Sequence, residues 1–162
     1  MGGVASGEST MPRKITEFTE PSEWQAAFPV LQELRSHLTE ESFLDHLDSM
    51  WSDGYRLFAT IEDDELVAVA GVIIHTNFYY GRHAFLYDLV TTESRQSEGI
   101  GAELLAHVES WAREQGCETI VLESGLWRSD AHRFYEDRMD YEKYTYTFKK
   151  SLTADDRLTE DG

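Results

Sequence analysis

Residues 84–111 constrain this chain most. They read AFLYDLV, then TTESRQSEGIG, then AELLAHVESW: a short apolar strand, a polar loop ending on two glycines, and an amphipathic helix. In the helix, Leu104, Leu105, Val108, Trp111 and Ala112 fall on one face at helical spacing. Such a face packs on a sheet, and the chain returns to that sheet through a right-handed β-α-β crossover. The loop is also an anion-binding device. The backbone amides of Gln96, Ser97, Glu98, Gly99, Ile100, Gly101 and Ala102 can point at one spot, and the helix dipole adds partial positive charge there. Gly99 and Gly101 carry no Cβ, so a phosphate can approach the backbone closely.

The pattern Gln96-Ser97-Glu98-Gly99-Ile100-Gly101, after a strand and before a helix, resembles motif A of the GNAT superfamily of N-acetyltransferases. The run LESGLWRSDAHRFYE at 122–136 resembles that superfamily's motif B, with a strand end, a polar turn and a helix carrying Ala131, Phe134 and Tyr135. The resemblance covers 13–150 and is specific over 84–135. It implies an α+β fold: a GNAT-like mixed, mostly antiparallel sheet flanked by helices, with a central splayed parallel strand pair. It implies that the loop amides hold the pyrophosphate of acetyl-coenzyme A. Unpaired backbone groups of Leu89, Val90 and Thr91 on the splayed strand would hold the pantetheine arm. Read without the resemblance, those three residues also fit a fully paired core strand. Two departures stand out. Glu98 occupies a loop position that is often basic or small, and a carboxylate there weakens pyrophosphate binding unless it points outward or salt screens it. Arg138-Met139-Asp140 stands where the family commonly has Gly-Phe, which leaves the end of the last helix open by a residue or two.

In chain order, residues 1–12 read as a disordered tail, 13–150 as one GNAT-like acetyltransferase domain, and 151–162 as an acidic unstructured end. Residues 13–18 alternate as a strand. A helix begins at Pro21, with Trp24, Phe28, Leu31 and Leu34 at helical spacing, and Pro29 is expected to end or kink it. Thr39 caps a second helix, which Asp53-Gly54 closes. Residues 55–61 and 66–75 form a hairpin about Asp63-Asp64, and Gly71 marks a bulge or a close approach. Tyr79-Tyr80-Gly81 turns into the central strand at 84–90. Gly116 stops the motif A helix, 119–122 is a buried strand, and 131–138 is a helix with Ser129 or Asp130 as its cap. Tyr144, Tyr146 and Phe148 alternate with threonines in a final strand.

Amine attack on a thioester expels a thiolate, and a positioned phenol can protonate it. The resemblance puts Tyr135 in that role, although a Tyr beside a Phe on an amphipathic helix is also ordinary core packing. The attacking amine must be neutral. Asp88 in the central strand and Glu123 at the end of the next are the candidate bases, because a carboxylate in an apolar strand is costly unless solvated or paired. His75, His83 and His132 read as solvated residues. Trp24, Trp51, Tyr79, Tyr80 and Trp127 either line an acceptor pocket or belong to the core.

Composition narrows the classes. Against 14 Lys and Arg stand 31 Asp and Glu, for a net charge of -17. Such a surface repels nucleic acid and anionic membranes. It suits a cytoplasm of very high salt, where the Debye length falls to ~3 Å at 1 M, and so a halophilic source. No apolar run approaches the ~20 residues of a membrane span, and no basic-then-apolar leader opens the chain, so the cytoplasm is the expected location. Cys117, the single cysteine, excludes an internal disulfide and a cysteine-based metal cluster and reads as a small buried residue. No metal is expected.

The leading function is transfer of acetyl from acetyl-coenzyme A to a primary amine, on a small molecule or a peptide, by direct attack through a ternary complex, with a homodimer as the candidate assembly. A coenzyme A-binding sensor or interaction module without catalysis remains open. A dinucleotide-binding oxidoreductase is remote: Leu104 stands at the third glycine position of that fingerprint, although Glu123 lies at a suitable distance for its acid.

Overall fold

The computed structural model of the chain describes residues 13–153; the tail expected over 1–12, and all but 151–153 of the one expected over 151–162, lie outside the described residues. Strand β1 (Lys14–Phe18) leads into helix α1 (Pro21–Leu34) and helix α2 (Glu40–Ser52). Pro29 does not end α1. It is exposed, so the carbonyl it leaves without a donor faces water, while buried Phe28, Val30 and Leu31 hold the helix on the sheet. Thr39 caps α2 as expected, its hydroxyl accepting from the Ser42 amide at 3.1 Å.

Strands β2 (Arg56–Glu62), β3 (Glu65–Asn77) and β4 (Gly81–Thr91) follow. The β2–β3 turn puts Asp63 at φ 54 and Asp64 at φ 64, the left-handed pair that a tight hairpin turn requires. After a short 3-10 turn (Glu93–Arg95), helix α3 (Ile100–Glu114) crosses to strand β5 (Thr119–Leu122). The five strands lie in the order β1-β2-β3-β4-β5. All pairs are antiparallel except β4 and β5, which are parallel. The mixed, mostly antiparallel sheet with its β-α-β crossover is therefore the architecture expected.

The helices cover the sheet on both sides. Leu57, Ala59, Val69 and Ile73 pack with Trp24, Phe28, Leu31, Phe43 and Leu47 of α1 and α2. Phe58 points the other way, its ring 5.4 Å from that of Trp111 on α3. Ile100, Leu104, Leu105 and Val108 of α3 are fully buried, and burial of each stabilises the fold by about 1.5–3 kcal/mol.

Residues up to Leu122 form one compact unit and residues from Glu123 a second. In the second unit the helix expected over 131–138 is one α-helical turn, α4 (Ser129–Arg133), continued by a π-helical turn (Phe134–Arg138). Neither Ser129 nor Asp130 caps it: both lie inside the helix, Arg128 precedes it without a side-chain cap, and Asp130 pairs with Arg133. The strand expected at 144–148 does not form. Residues 141–150 have no regular structure, and Tyr146 and Phe148 are exposed. Alternation defines two faces but cannot supply the neighbouring strand that makes a ladder.

Candidate active site

Helix α3 starts with bare backbone. Its N-cap is Gly99, at φ 84, with no side-chain cap, and the first-turn amides of a helix have no intrahelical acceptor. A Cβ at Gly99 would have nothing within 4 Å. An open, uncapped helix N-terminus beside a glycine fits a phosphate group. The loop before it is held on several sides. Gln96 Nε2 donates to the Thr91 carbonyl at 3.1 Å. Glu33 of α1 accepts from the Thr92 hydroxyl at 2.7 Å and from the Glu93 amide at 2.9 Å. Glu98 is not an unopposed charge: Arg95 Nη2 donates to it at 3.0 Å, Arg13 lies 3.9 Å away, and Arg95 also pairs with Glu62. Hydrogen bonds from Arg95 hold the Glu98 carboxyl below its ordinary pKa and push the Arg95 guanidinium above its own.

Strand β4 is paired unevenly. β5 pairs with it only at His83–Leu86. Leu89, Val90 and Thr91 thus lie past the end of that ladder, half-buried, with their β3 partners in place. Between these halves the β3–β4 register slips: Gly71 pairs with Asp88 and Val72 with Leu86, so Tyr87 is the extra residue of a bulge. The bulge brings Tyr87 and Asp88 to the same side of the sheet as Tyr55. Tyr55 stacks on Tyr87 at 5.9 Å and donates its hydroxyl to Asp88 Oδ2 at 2.7 Å.

Asp88, in an otherwise apolar strand, is both buried and paired. Arg35, at the C-terminal end of α1, donates Nε to Asp88 Oδ1 at 2.9 Å and Nη2 to the Tyr87 carbonyl at 2.7 Å. The guanidinium thereby donates to the carbonyl at the bulge and pairs with the carboxyl group beside it. Burial, reinforced by the Asp88 charge, raises the Tyr55 pKa well above its ordinary value, so the phenol stays protonated and donating. The Tyr55 hydroxyl occupies the room of a missing side chain: a Cβ on Gly71 would lie 1.6 Å from it. Gly71 thus lies opposite the bulge and makes the close approach expected of it.

In the second unit, Tyr135 sits in the π-helical turn, its ring 5.3 Å from Phe134 and 5.8 Å from Tyr141. Burial raises its pKa, which keeps the phenol protonated. Glu123 is exposed and accepts from the Thr147 hydroxyl at 3.1 Å. Two histidines depart from the expectation of solvation. His83 is buried, its Nδ1 2.9 Å from the Gly81 carbonyl, because it faces the sheet interior beside Tyr80. His132 is half-buried, its Nε2 2.9 Å from the Gly125 carbonyl. His75 is exposed, with Nε2 3.2 Å from the Tyr87 hydroxyl. Cys117 is buried, as expected.

The aromatic residues considered for an acceptor pocket are individually buried, half-buried or exposed. Trp24 and Trp51 pack together at 5.1 Å, Trp24 buried and Trp51 half-buried, and Tyr79 and Trp127 are exposed. Four residues that hold the site went unread in the sequence: Arg35, Tyr55, Arg95 and Glu33. Arg35 just past an apolar helix, in a chain this poor in basic residues, was the one signal available.

The sequence model of the acetyltransferase (GNAT) family matches residues 19–141. A protein of Bacillus subtilis (strain 168) named as an uncharacterized N-acetyltransferase, YhdJ, is 37% identical over 139 residues, covering 85% of this chain and 98% of its own length. The aminoalkylphosphonate N-acetyltransferase of Salmonella typhimurium is 31% identical over 126 residues, covering 74% of this chain and 78% of the relative. Among solved structures, the aminoglycoside N-acetyltransferase AAC(6')-Iy in complex with CoA superposes with a TM-score of 0.78 at 14% identity, covering 88% of this chain and 97% of that one. At that identity the likeness is one of fold.

Proposed function

Because the chain belongs to the acetyltransferase (GNAT) family, we propose that it moves the acetyl group of acetyl-coenzyme A to a primary amine by direct attack within a ternary complex. The observation that carries the reading is the bare N-terminus of α3, with Gly99 at φ 84 and open space before it. The pyrophosphate lies against the amides of Gln96, Ser97, Glu98, Gly99, Ile100, Gly101 and Ala102, where the helix dipole and converging N–H groups favour an anion. The pantetheine arm runs back along Leu89, Val90 and Thr91, the part of β4 that the β5 ladder leaves.

In the reaction the amine nitrogen bonds to the acetyl carbon, the carbon–sulfur bond breaks, the amine loses a proton and the sulfur gains one. Asp88 takes the amine proton, with Glu123, acting through water, as the other candidate. Tyr135 gives the sulfur its proton; its support is the motif B resemblance and a burial that keeps the phenol protonated. The relatives' names carry amino-bearing acceptors, an aminoalkylphosphonate and an aminoglycoside, which supports a small-molecule amine over a peptide. The net charge of -17 supports work in a high-salt cytoplasm.

The test is release of the coenzyme A thiol across a panel of primary amines in molar salt, with the product mass measured. An acceptor-dependent thiol release and a product heavier by one acetyl group are expected. Coenzyme A binding without turnover on any amine would overturn the catalytic reading.

A further inference from the structure

Asp88 and Arg35 do more than neutralise each other. They sit on the wall of a cavity of about 170 Å³, between α1, α2 and β4. Phe43, Leu47 and Met50 make it largely apolar, and His37 and His46 also line it. We propose that this cavity holds the acceptor and selects small zwitterionic amines, with the ammonium on Asp88 and a carboxylate or phosphonate on Arg35. The proposal rests on the reading that the chain acetylates a primary amine.

Position is the first argument. If the pantetheine arm runs along Thr91, Val90 and Leu89, the residue it reaches next on β4 is Asp88, which lines the cavity. The acceptor then enters from the helix side while the thioester arrives along the strand.

The second argument is the donor inventory. Arg35 spends Nε on Asp88 and one hydrogen of Nη2 on the Tyr87 carbonyl. Its Nη1 makes no hydrogen bond among the described residues, and the Arg35 side chain is 41% exposed. A guanidinium fixed on one edge offers its other N–H groups to a carboxylate or phosphonate at little further ordering cost. Asp88 accepts one bond on each oxygen, and each oxygen keeps a lone pair for an ammonium proton. An ion pair on a cavity wall is thus complementary to a molecule that carries both charges.

Charge and size complete the case. With 31 acidic residues against 14 Lys and Arg, most of this surface repels anions. Arg35 brings a fixed positive charge to the wall of this cavity. The volume lies below the ~300–1,000 Å³ of sites for drug-sized ligands, so it suits an acceptor of few heavy atoms.

The experiment compares matched acceptors at one salt concentration: 2-aminoethylphosphonate and β-alanine against propylamine and ethanolamine. Charge-assisted bonds to Arg35 predict kcat/KM about 10–100-fold higher for the first pair. In Arg35→Gln that ratio should collapse toward one. As a check that needs no variant, propylphosphonate should inhibit the parent competitively against the amine, and propanol at equal concentration should not. Equal kcat/KM for the four amines, an unchanged ratio in Arg35→Gln, or failure of propylphosphonate to compete would overturn the zwitterion site while leaving acetyl transfer standing. Absence of turnover on every amine would instead overturn the reading beneath it.

Discussion

The tightest packing in the candidate site is Tyr55 against Gly71, and Gly71→Ala tests it. The added Cβ would lie 1.6 Å from the Tyr55 hydroxyl oxygen, 2.3 Å from Cζ and 2.8 Å from Cε1. Tyr55 is 2% exposed and stacks on Tyr87, so moving the ring also gives up that contact. Overpacking of this kind costs about 1–3 kcal/mol. Pulling the phenol off Asp88 loses a hydrogen bond to a charged group, about 1.5–3 kcal/mol. Replacing a strand glycine returns about 0.5–1 kcal/mol. The net is a destabilisation of about 2–5 kcal/mol. In a chain of this size each 1 kcal/mol moves Tm by about 2–4 °C, so Tm should fall by roughly 4–20 °C. Thermal unfolding followed by far-UV circular dichroism at fixed salt measures it. The companion change, Tyr55→Leu, removes the phenol and is destabilising alone, but on that background Gly71→Ala should be neutral or slightly stabilising. If Gly71→Ala melts within about 1 °C of the parent, or loses as much stability without the phenol as with it, the reasoning is wrong.

Three further outcomes are expected. Gly99→Val forces a β-branched residue into φ 84 at the head of α3, so coenzyme A affinity measured by calorimetry should drop at least tenfold, about 1.4 kcal/mol, in a variant whose far-UV spectrum is unchanged; equal affinity would remove the pyrophosphate from this loop. Glu98→Gln frees Arg95 and Arg13 from a carboxylate and should tighten coenzyme A binding, more in dilute buffer than in molar salt; an equal change at both salts would exclude a screened charge as the cause. Tyr135→Phe should lower kcat by ~10²–10⁴-fold where chemistry limits the rate, with Tm nearly unchanged, and because burial raises the phenol's pKa the parent should show no loss of rate from its ionisation below about pH 10; turnover at the parent rate would end the acid assignment.

What could be read from the sequence was what neighbours along the chain decide. The strand, glycine loop and helix over 84–111 were legible because the period changes from strand-like to helical across two glycines, and one of those, Gly99, takes the positive φ that its position requires. The Thr39 cap and the Asp63-Asp64 turn are equally local, and both form. Pro29 misled because a proline's cost depends on what its bare carbonyl faces, and here that is water. The alternation at 144–148 misled because a strand needs a partner that no local pattern reports.

The site itself divides along the same line. Asp88 was legible as an anomaly, a carboxylate in an apolar strand, but its meaning lay in residues far away in sequence. Arg35 reaches it from 53 positions away and Tyr55 from 33. Neither spacing has a period, so neither can be seen in one sequence. The bulge couples them. Tyr87 is the extra residue and Asp88 follows it, and one guanidinium donates to both the Tyr87 carbonyl and the Asp88 carboxyl. Removing Arg35 would take one donor from Asp88 Oδ1 and one from the Tyr87 carbonyl, whereas removing Tyr55 would take one from Asp88 Oδ2. The bulge therefore sets what an acceptor meets: a carboxyl group already paired with Arg35, oriented by Tyr55, and with a lone pair still open on each oxygen.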